Sequence, residues 1–261
     1  MYSDDNKLLQ AYLSSYPSIS LVISRSTGDL QEFVGTVSQS LQLSVEDITD
    51  SCSHEFLTGL YARARGCIYL IYLDTLTLSK QNILLKFTEE QPENCKIIMT
   101  SSNLSLVLPT LQTRAVLFEL HRYTPFELRS YCQTRDWSQP LLWAVCTTPD
   151  QLEAYHEVDL SRLYQLCENI YVNISYATLP NALQIASKYI GEEPGQYDLG
   201  LFILMMKYFL RQQFVSTNDT RAYIIYKETL KLEQQLLRAP SSKGALIEHY
   251  ILQLWGLEKD V

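Results

Sequence analysis

The run CIYLIYL at residues 67–73 constrains this chain more than any other stretch. It is near-continuously apolar, with no alternation of polar positions. A strand of that kind is covered on both faces, as central strands of parallel sheets are when helices lie above and below. Residues 19–24, 96–100 and 115–120 read as three further strands. Helical stretches near 78–90 and 104–112 separate the last of them, and a polar turn at 25–29 leads into a helix that runs to about residue 41. Strands alternating with helices predict a doubly wound parallel sheet over residues 1–123, with any ligand crevice at the polar strand ends.

From Thr124 onward the pattern is helical only. Thr124-Pro125-Phe126-Glu127 and Thr148-Pro149-Asp150-Gln151 both read as capping boxes with proline at the first helical position. Residues 162–174 and 179–190 complete a small helical domain. The GEEPG segment at 191–195 is the clearest linker, and long amphipathic helices fill 198–257. The expected architecture is therefore α/β: a doubly wound parallel-sheet domain (1–123), a small helical domain (124–192) and a second helical domain of long helices (193–261).

Composition narrows the function. Hydrophobic residues make up 46% of the 261 and charged residues 19%, which marks a globular chain. A formal charge of −8 argues against a dedicated nucleic-acid binder, because neutralising phosphates needs clustered Lys and Arg. No signal-like segment opens the chain and no apolar run suits a bilayer, so a cytoplasmic protein without a membrane partner is expected. The six cysteines stand scattered without the tight spacing of a metal site; buried free thiols are expected and no metal. None of the four histidines has a neighbour that suggests a triad.

The segment from Gln81 to Arg114 carries a longer pattern. Asn82, Leu84, Leu85, Lys86, Glu89, Glu90, Pro92, Leu108, Pro109, Thr110 and Arg114 match, without a gap, the core block of the clamp-loader branch of the AAA+ ATPases. The resemblance is strongest to its delta-prime subunits. It implies an AAA+-like domain followed by a lid and a short collar, here without the four-cysteine zinc module that bacterial relatives carry. The tail, TLKLEQQLLRAPSSKGALIEHYILQLW, resembles collar helices with less specificity.

Against that family the nucleotide site is degenerate. A phosphate loop needs glycine-rich backbone, a lysine and a Mg²⁺-holding hydroxyl. The corresponding place here is Arg25-Ser26-Thr27-Gly28-Asp29-Leu30, with one glycine, no lysine and an aspartate that repels phosphate. Ile71 and Tyr72 fall where the acidic pair of the metal-binding strand belongs, and Asp74 reads as a turn or cap residue. Ser101 matches the first sensor position, and Pro180 falls near the lid arginine. Vestigial nucleotide contacts, if formed, would involve Arg25, Ser26, Thr27, Gly28 and Ser101. The expectation is no ATP hydrolysis by this chain, no cofactor, and at most weak nucleotide binding.

Arg114 survives. In the resembled family this arginine reaches toward ATP in the next subunit, and it is the candidate trans arginine finger here, although the motif reads Thr113-Arg114-Ala115. The alternative is an arginine pairing with Glu119 or with a helix end. Lys86, Glu89 and Glu90 read as a solvated, salt-bridged helix face. The resemblance implies a non-hydrolysing delta-prime-like clamp-loader subunit. Its partners would be clamp-loader ATPase subunits and a sliding clamp, with primer-template DNA met only within the complex. An AAA+-shaped scaffold without a clamp role and an atypical ATPase are the competing readings.

Overall fold

The computed structural model describes residues 3–63, 66–90, 95–173, 178–191, 195–238 and 242–257. Pro92 of the matched block, Ile174, and residues 192–194 of the GEEPG segment lie outside the described residues. The chain divides into two compact units, Met1–Tyr123 and Thr124–Val261. Among the described residues no helix is long and apolar enough to cross a membrane.

The first unit runs α1 (Ser3–Ser15), β1 (Ile19–Ile23), α2 (Thr27–Leu41), β2 (Ser44–Asp47), α3 (His54–Arg63), β3 (Cys67–Tyr72), α4 (Leu78–Glu89), β4 (Lys96–Ser101), α5 (Pro109–Gln112) and β5 (Val116–Glu119). All five strands are parallel, in the order β2-β3-β4-β1-β5. The strict period of two explains how one sheet serves two cores. Leu21 and Ile23 of β1, Tyr69 and Ile71 of β3, and Ile97 and Met99 of β4 face one side, where Leu57, Leu84, Phe87 and Leu111 of α3, α4 and α5 pack on them. Val22, Ile68, Leu70 and Ile98 face the other, against Leu9 and Tyr12 of α1 and Leu30, Phe33 and Val37 of α2. Each large apolar side chain so buried contributes about 1.5–3 kcal/mol.

This division of helices fixes where a ligand crevice lies. The helix that follows β1 covers one face, whereas those that follow β3 and β4 cover the other. The neighbouring strands β1 and β4 therefore send their chains in opposite directions, and the sheet opens between their carboxyl ends.

The second unit comprises α6 (Pro125–Gln133), α7 (Pro140–Val145), α8 (Pro149–Tyr155), α9 (Leu160–Asn173), α10 (Leu179–Tyr189), α11 (Leu199–Thr217), α12 (Thr220–Arg238) and α13 (Lys243–Leu257). Leu201, Phe202, Met205, Met206, Phe209 and Leu210 bury α11 almost all round, and Asp198 caps it through the N–H groups of Gly200 and Leu201. α9 packs on α11 and α10 on α13, so helices from the lid and collar segments share one packed unit.

Some local expectations need correction. Residues 104–112 are not one helix but a 3₁₀ turn, Leu104–Leu106, and the short α5. Leu108 precedes a proline, which disfavours helical backbone there, and it is extended at φ −56°, ψ 132°. The polar turn expected at 25–29 shrinks to residues 24–26, because α2 starts at Thr27. Thr124 and Glu127 complete their capping box. Thr148 caps α8, but Gln151 reaches instead to the N–H of Thr147, at 2.8 Å.

Candidate functional site at the sheet switch point

Three residues, Ser24 to Ser26, join β1 to α2 at the crevice. They are held by their own hydrogen bonds. The Ser24 N–H donates to the Ser101 carbonyl at 3.0 Å, which extends the β1–β4 ladder one step beyond the strand. Ser24 Oγ donates to the Ser26 carbonyl at 2.7 Å. Ser26, buried, caps α2: its Oγ accepts the Asp29 N–H at 3.0 Å. Helix N-termini attract phosphates through free N–H groups and the positive end of the dipole. Here the serine side chain occupies one of those donors. The Asp29 carboxylate already sits in the first turn, where it accepts the Tyr123 hydroxyl at 2.7 Å. Thr27 and Gly28 lie exposed in that first turn rather than in a loop, and Arg25 is exposed.

The opposite wall is built from β3 and β4. Asp74 stands in a 3₁₀ turn, Leu73–Thr75, at the end of β3. Its carboxylate accepts Ser101 Oγ and, at 2.7 Å, the Ser102 N–H. Ser101 is buried, and its hydroxyl also accepts the Asn103 N–H at 3.2 Å. The hydroxyl expected to face a ligand is thus spent on the protein. Ile71 is fully buried in one core and Tyr72 packs against the other, so neither strand end offers a metal-binding acid. Among the described residues no cluster of His, Cys, Asp or Glu is placed to hold a metal ion.

Gln81 organises the surrounding loops, which sequence reasoning missed. It is buried on α4; Nε2 donates to the carbonyls of Leu73 (3.3 Å) and Leu106 (3.0 Å), and Oε1 accepts the Leu108 N–H at 3.0 Å. One side chain thereby ties the Asp74 turn to the segment that leads to Arg114. The available signal was helical spacing: Gln81 stands three and four residues before Leu84 and Leu85, which puts it on the packed side of α4.

Arg114 follows α5 and does not reach the crevice residues. Its guanidinium binds the Glu89 carboxylate on α4, and Nη1 donates to the Thr110 carbonyl of α5 at 2.9 Å. The helix-end partner matches one expected alternative, but Glu119 does not pair with Arg114; it binds Arg122. Pro180 is exposed on α10. A separate cleft between α3 and α4 is lined by His54, Leu57, Thr58, Ile83, Lys86, Phe87 and Glu90, and it shares no residue with the crevice.

Residues 9–124 match the model of the family described as "DNA polymerase III, delta subunit". That match covers nearly all of the first unit and somewhat less than half of the chain. A 99-residue stretch is 32% identical to the uncharacterized protein MG007 homolog of Mycoplasma pneumoniae, covering 37% of this chain and 37% of that protein. The match thus spans little more than a third of the relative's length. Among solved structures, a DNA polymerase III gamma subunit-related protein from Thermotoga maritima aligns over 98% of both chains at 12% identity and a TM-score of 0.43. A RuvB variant from the same organism aligns over 97% of this chain and 88% of that one, also at 12% identity and 0.43. Likenesses that distant carry no argument beside the strand order and the family match. The first unit is related to the clamp-loader AAA+ proteins.

Proposed function

We propose that this chain, whose first unit is related to the clamp-loader AAA+ proteins, serves as a non-hydrolysing, delta-prime-like subunit of a sliding-clamp loader in DNA replication. The observation that supports the non-hydrolysing part is the capped α2 N-terminus: Ser26 Oγ takes up the Asp29 N–H and the Asp29 carboxylate adds negative charge to that turn, with no lysine in the loop. ATP hydrolysis also needs acidic residues to hold Mg²⁺ and orient water. Asp74 is committed to Ser101 and Ser102, while Ile71 and Tyr72 lie in the cores.

In this reading the second unit supplies the lid (124–192) and the collar (193–261) that join the chain to its ATPase partners. Arg114 acts in trans. A planar cation against developing phosphate charge can raise a partner's rate by about 10³–10⁵. To do so it must leave Glu89, an exchange that suits a half-exposed ion pair. Sliding clamp and primer-template DNA are met by the assembly, in keeping with the acidic charge of −8, and the setting is the cytoplasm.

The test is ATP turnover by the isolated full chain with Mg²⁺, together with co-purification against clamp-loader ATPase subunits. No turnover and a stable complex are expected. Mg²⁺-dependent hydrolysis by the isolated chain would make it an atypical ATPase, and failure to assemble with any clamp-loader ATPase would favour a scaffold elsewhere.

A further inference from the structure

We propose that Cys67 and Cys95 are a redox-responsive pair, which a hydroperoxide converts into a disulfide joining β3 to β4. Ile68 pairs with Lys96 in the parallel ladder, so Cys67 and Cys95 stand opposite each other one residue before it. Both side chains are buried in the same core, on the face covered by α3 and α4, and their sulfurs are 3.5 Å apart. Neighbouring strands lie about 4.8 Å apart, inside the roughly 4.4–6.8 Å Cα separation that a disulfide spans. To form the bond the sulfurs close from 3.5 Å to the roughly 2.05 Å of a disulfide.

The chemistry balances with the hydroperoxide as oxidant. One thiolate attacks the O–O bond; an S–O bond forms, and the displaced oxygen takes up a proton and leaves as an alcohol, or as water from hydrogen peroxide. The second thiolate attacks the sulfenic sulfur, the S–S bond forms, the S–O bond breaks, and water leaves. Two thiols lose two electrons and the hydroperoxide gains them. Burial pushes the Cys67 thiol up to about 11, so the thiolate is scarce at neutral pH and the reaction quickens as pH rises. The closed loop holds β3, the Asp74 turn, α4 and Glu89; oxidation therefore fixes both ends of the unit that carries the partner of Arg114.

The test treats the full chain with hydrogen peroxide, unfolds it without reductant, alkylates it and measures intact mass and peptides. Untreated protein should take up alkyl groups at all six free cysteines. Treated protein should take up two fewer, yield a cross-linked peptide containing Cys67 and Cys95, and return to six with dithiothreitol. Cys67→Ala should remove the cross-link and leave every remaining thiol alkylatable. Six alkylated thiols after treatment, a cross-link joining Cys132 to Cys146 instead, or sulfonic acids at Cys67 and Cys95 would each overturn the proposal. The peptide map of the unaltered chain decides the matter even if the variant does not fold.

Discussion

The Arg114 guanidinium is bound to the carboxylate of Glu89, a residue 25 positions earlier on the neighbouring helix α4. Both belong to the block that resembles the clamp-loader core, yet they neutralise each other within one chain. The arginine lies just beyond α5 and also donates to the Thr110 carbonyl, with its side chain 32% exposed.

That pairing predicts opposite effects for its two members. Half-exposed ion pairs contribute only about 0.2–1 kcal/mol, so Glu89→Gln should shift the urea midpoint little. In stimulation of a partner ATPase, Glu89→Gln should match or exceed the unaltered chain, because the arginine no longer has to leave a carboxylate. A loss of stimulation in Glu89→Gln would assign Glu89 a positive role that this geometry does not give it.

Gln81 predicts a large structural effect for a polar residue. Replacement by Leu fills the site but takes the acceptor from the half-buried Leu108 N–H and the Gln81 donor from the Leu106 carbonyl, while the Leu73 carbonyl keeps the Leu76 N–H. A buried group stripped of its hydrogen bond costs about 1–3 kcal/mol. Urea unfolding should show a loss in that range, and a change below about 0.5 kcal/mol would remove Gln81 from its bracing role.

The capped crevice predicts silence toward nucleotide. A ligand that binds only the folded state at a hundredfold excess over its Kd stabilises by about 2.7 kcal/mol. Millimolar Mg²⁺-ATP should leave the melting temperature of the isolated chain unchanged. Ser26→Ala, which removes the α2 cap, should cost about 0.5–2 kcal/mol on its own. A clear rise in melting temperature with ATP would show that the crevice opens for a ligand after all.

In the second unit, the Tyr171 hydroxyl donates to Asp219, and that bond, offset in part by burial, draws the Asp219 carboxyl below its ordinary value of 3.8. A carboxylate with a depressed folded-state value stabilises the fold above its unfolded-state value. That contribution is lost as pH falls through the folded one. Tyr171→Phe should therefore flatten the fall in stability below about pH 4, as followed by thermal melts across an acid series. An identical acid profile in the variant would remove this bond from the account.

The central sheet was legible because its inner strands have no solvent face: β3 and β4 are buried at nearly every position, β3 reads as a near-continuous apolar run, and β4 has an apolar centre, Ile97 to Met99, between polar ends. β2 was not, since Ser44, Val45, Glu46 and Asp47 are all exposed and carry no hydrophobic period. The start of α2 was legible in principle, because Ser26 followed three residues later by Asp29 is a capping signature; reading the segment as a phosphate loop hid it. Asp74 meets Ser101 across 27 residues and Arg114 meets Glu89 across 25, and no local pattern encodes a pairing of that span. Sequence could thus nominate Arg114 and Ser101 but not show that each is already engaged.

The most direct measurement is the clamp- and DNA-stimulated ATPase rate of a partner clamp-loader ATPase, taken alone, with this chain, and with its Arg114→Ala variant. The account predicts strong stimulation by the unaltered chain and its collapse, by about 10³-fold or more in the finger-dependent site, in a variant that still assembles. Equal stimulation by Arg114→Ala would contradict the trans-finger role and leave the chain as a structural subunit alone.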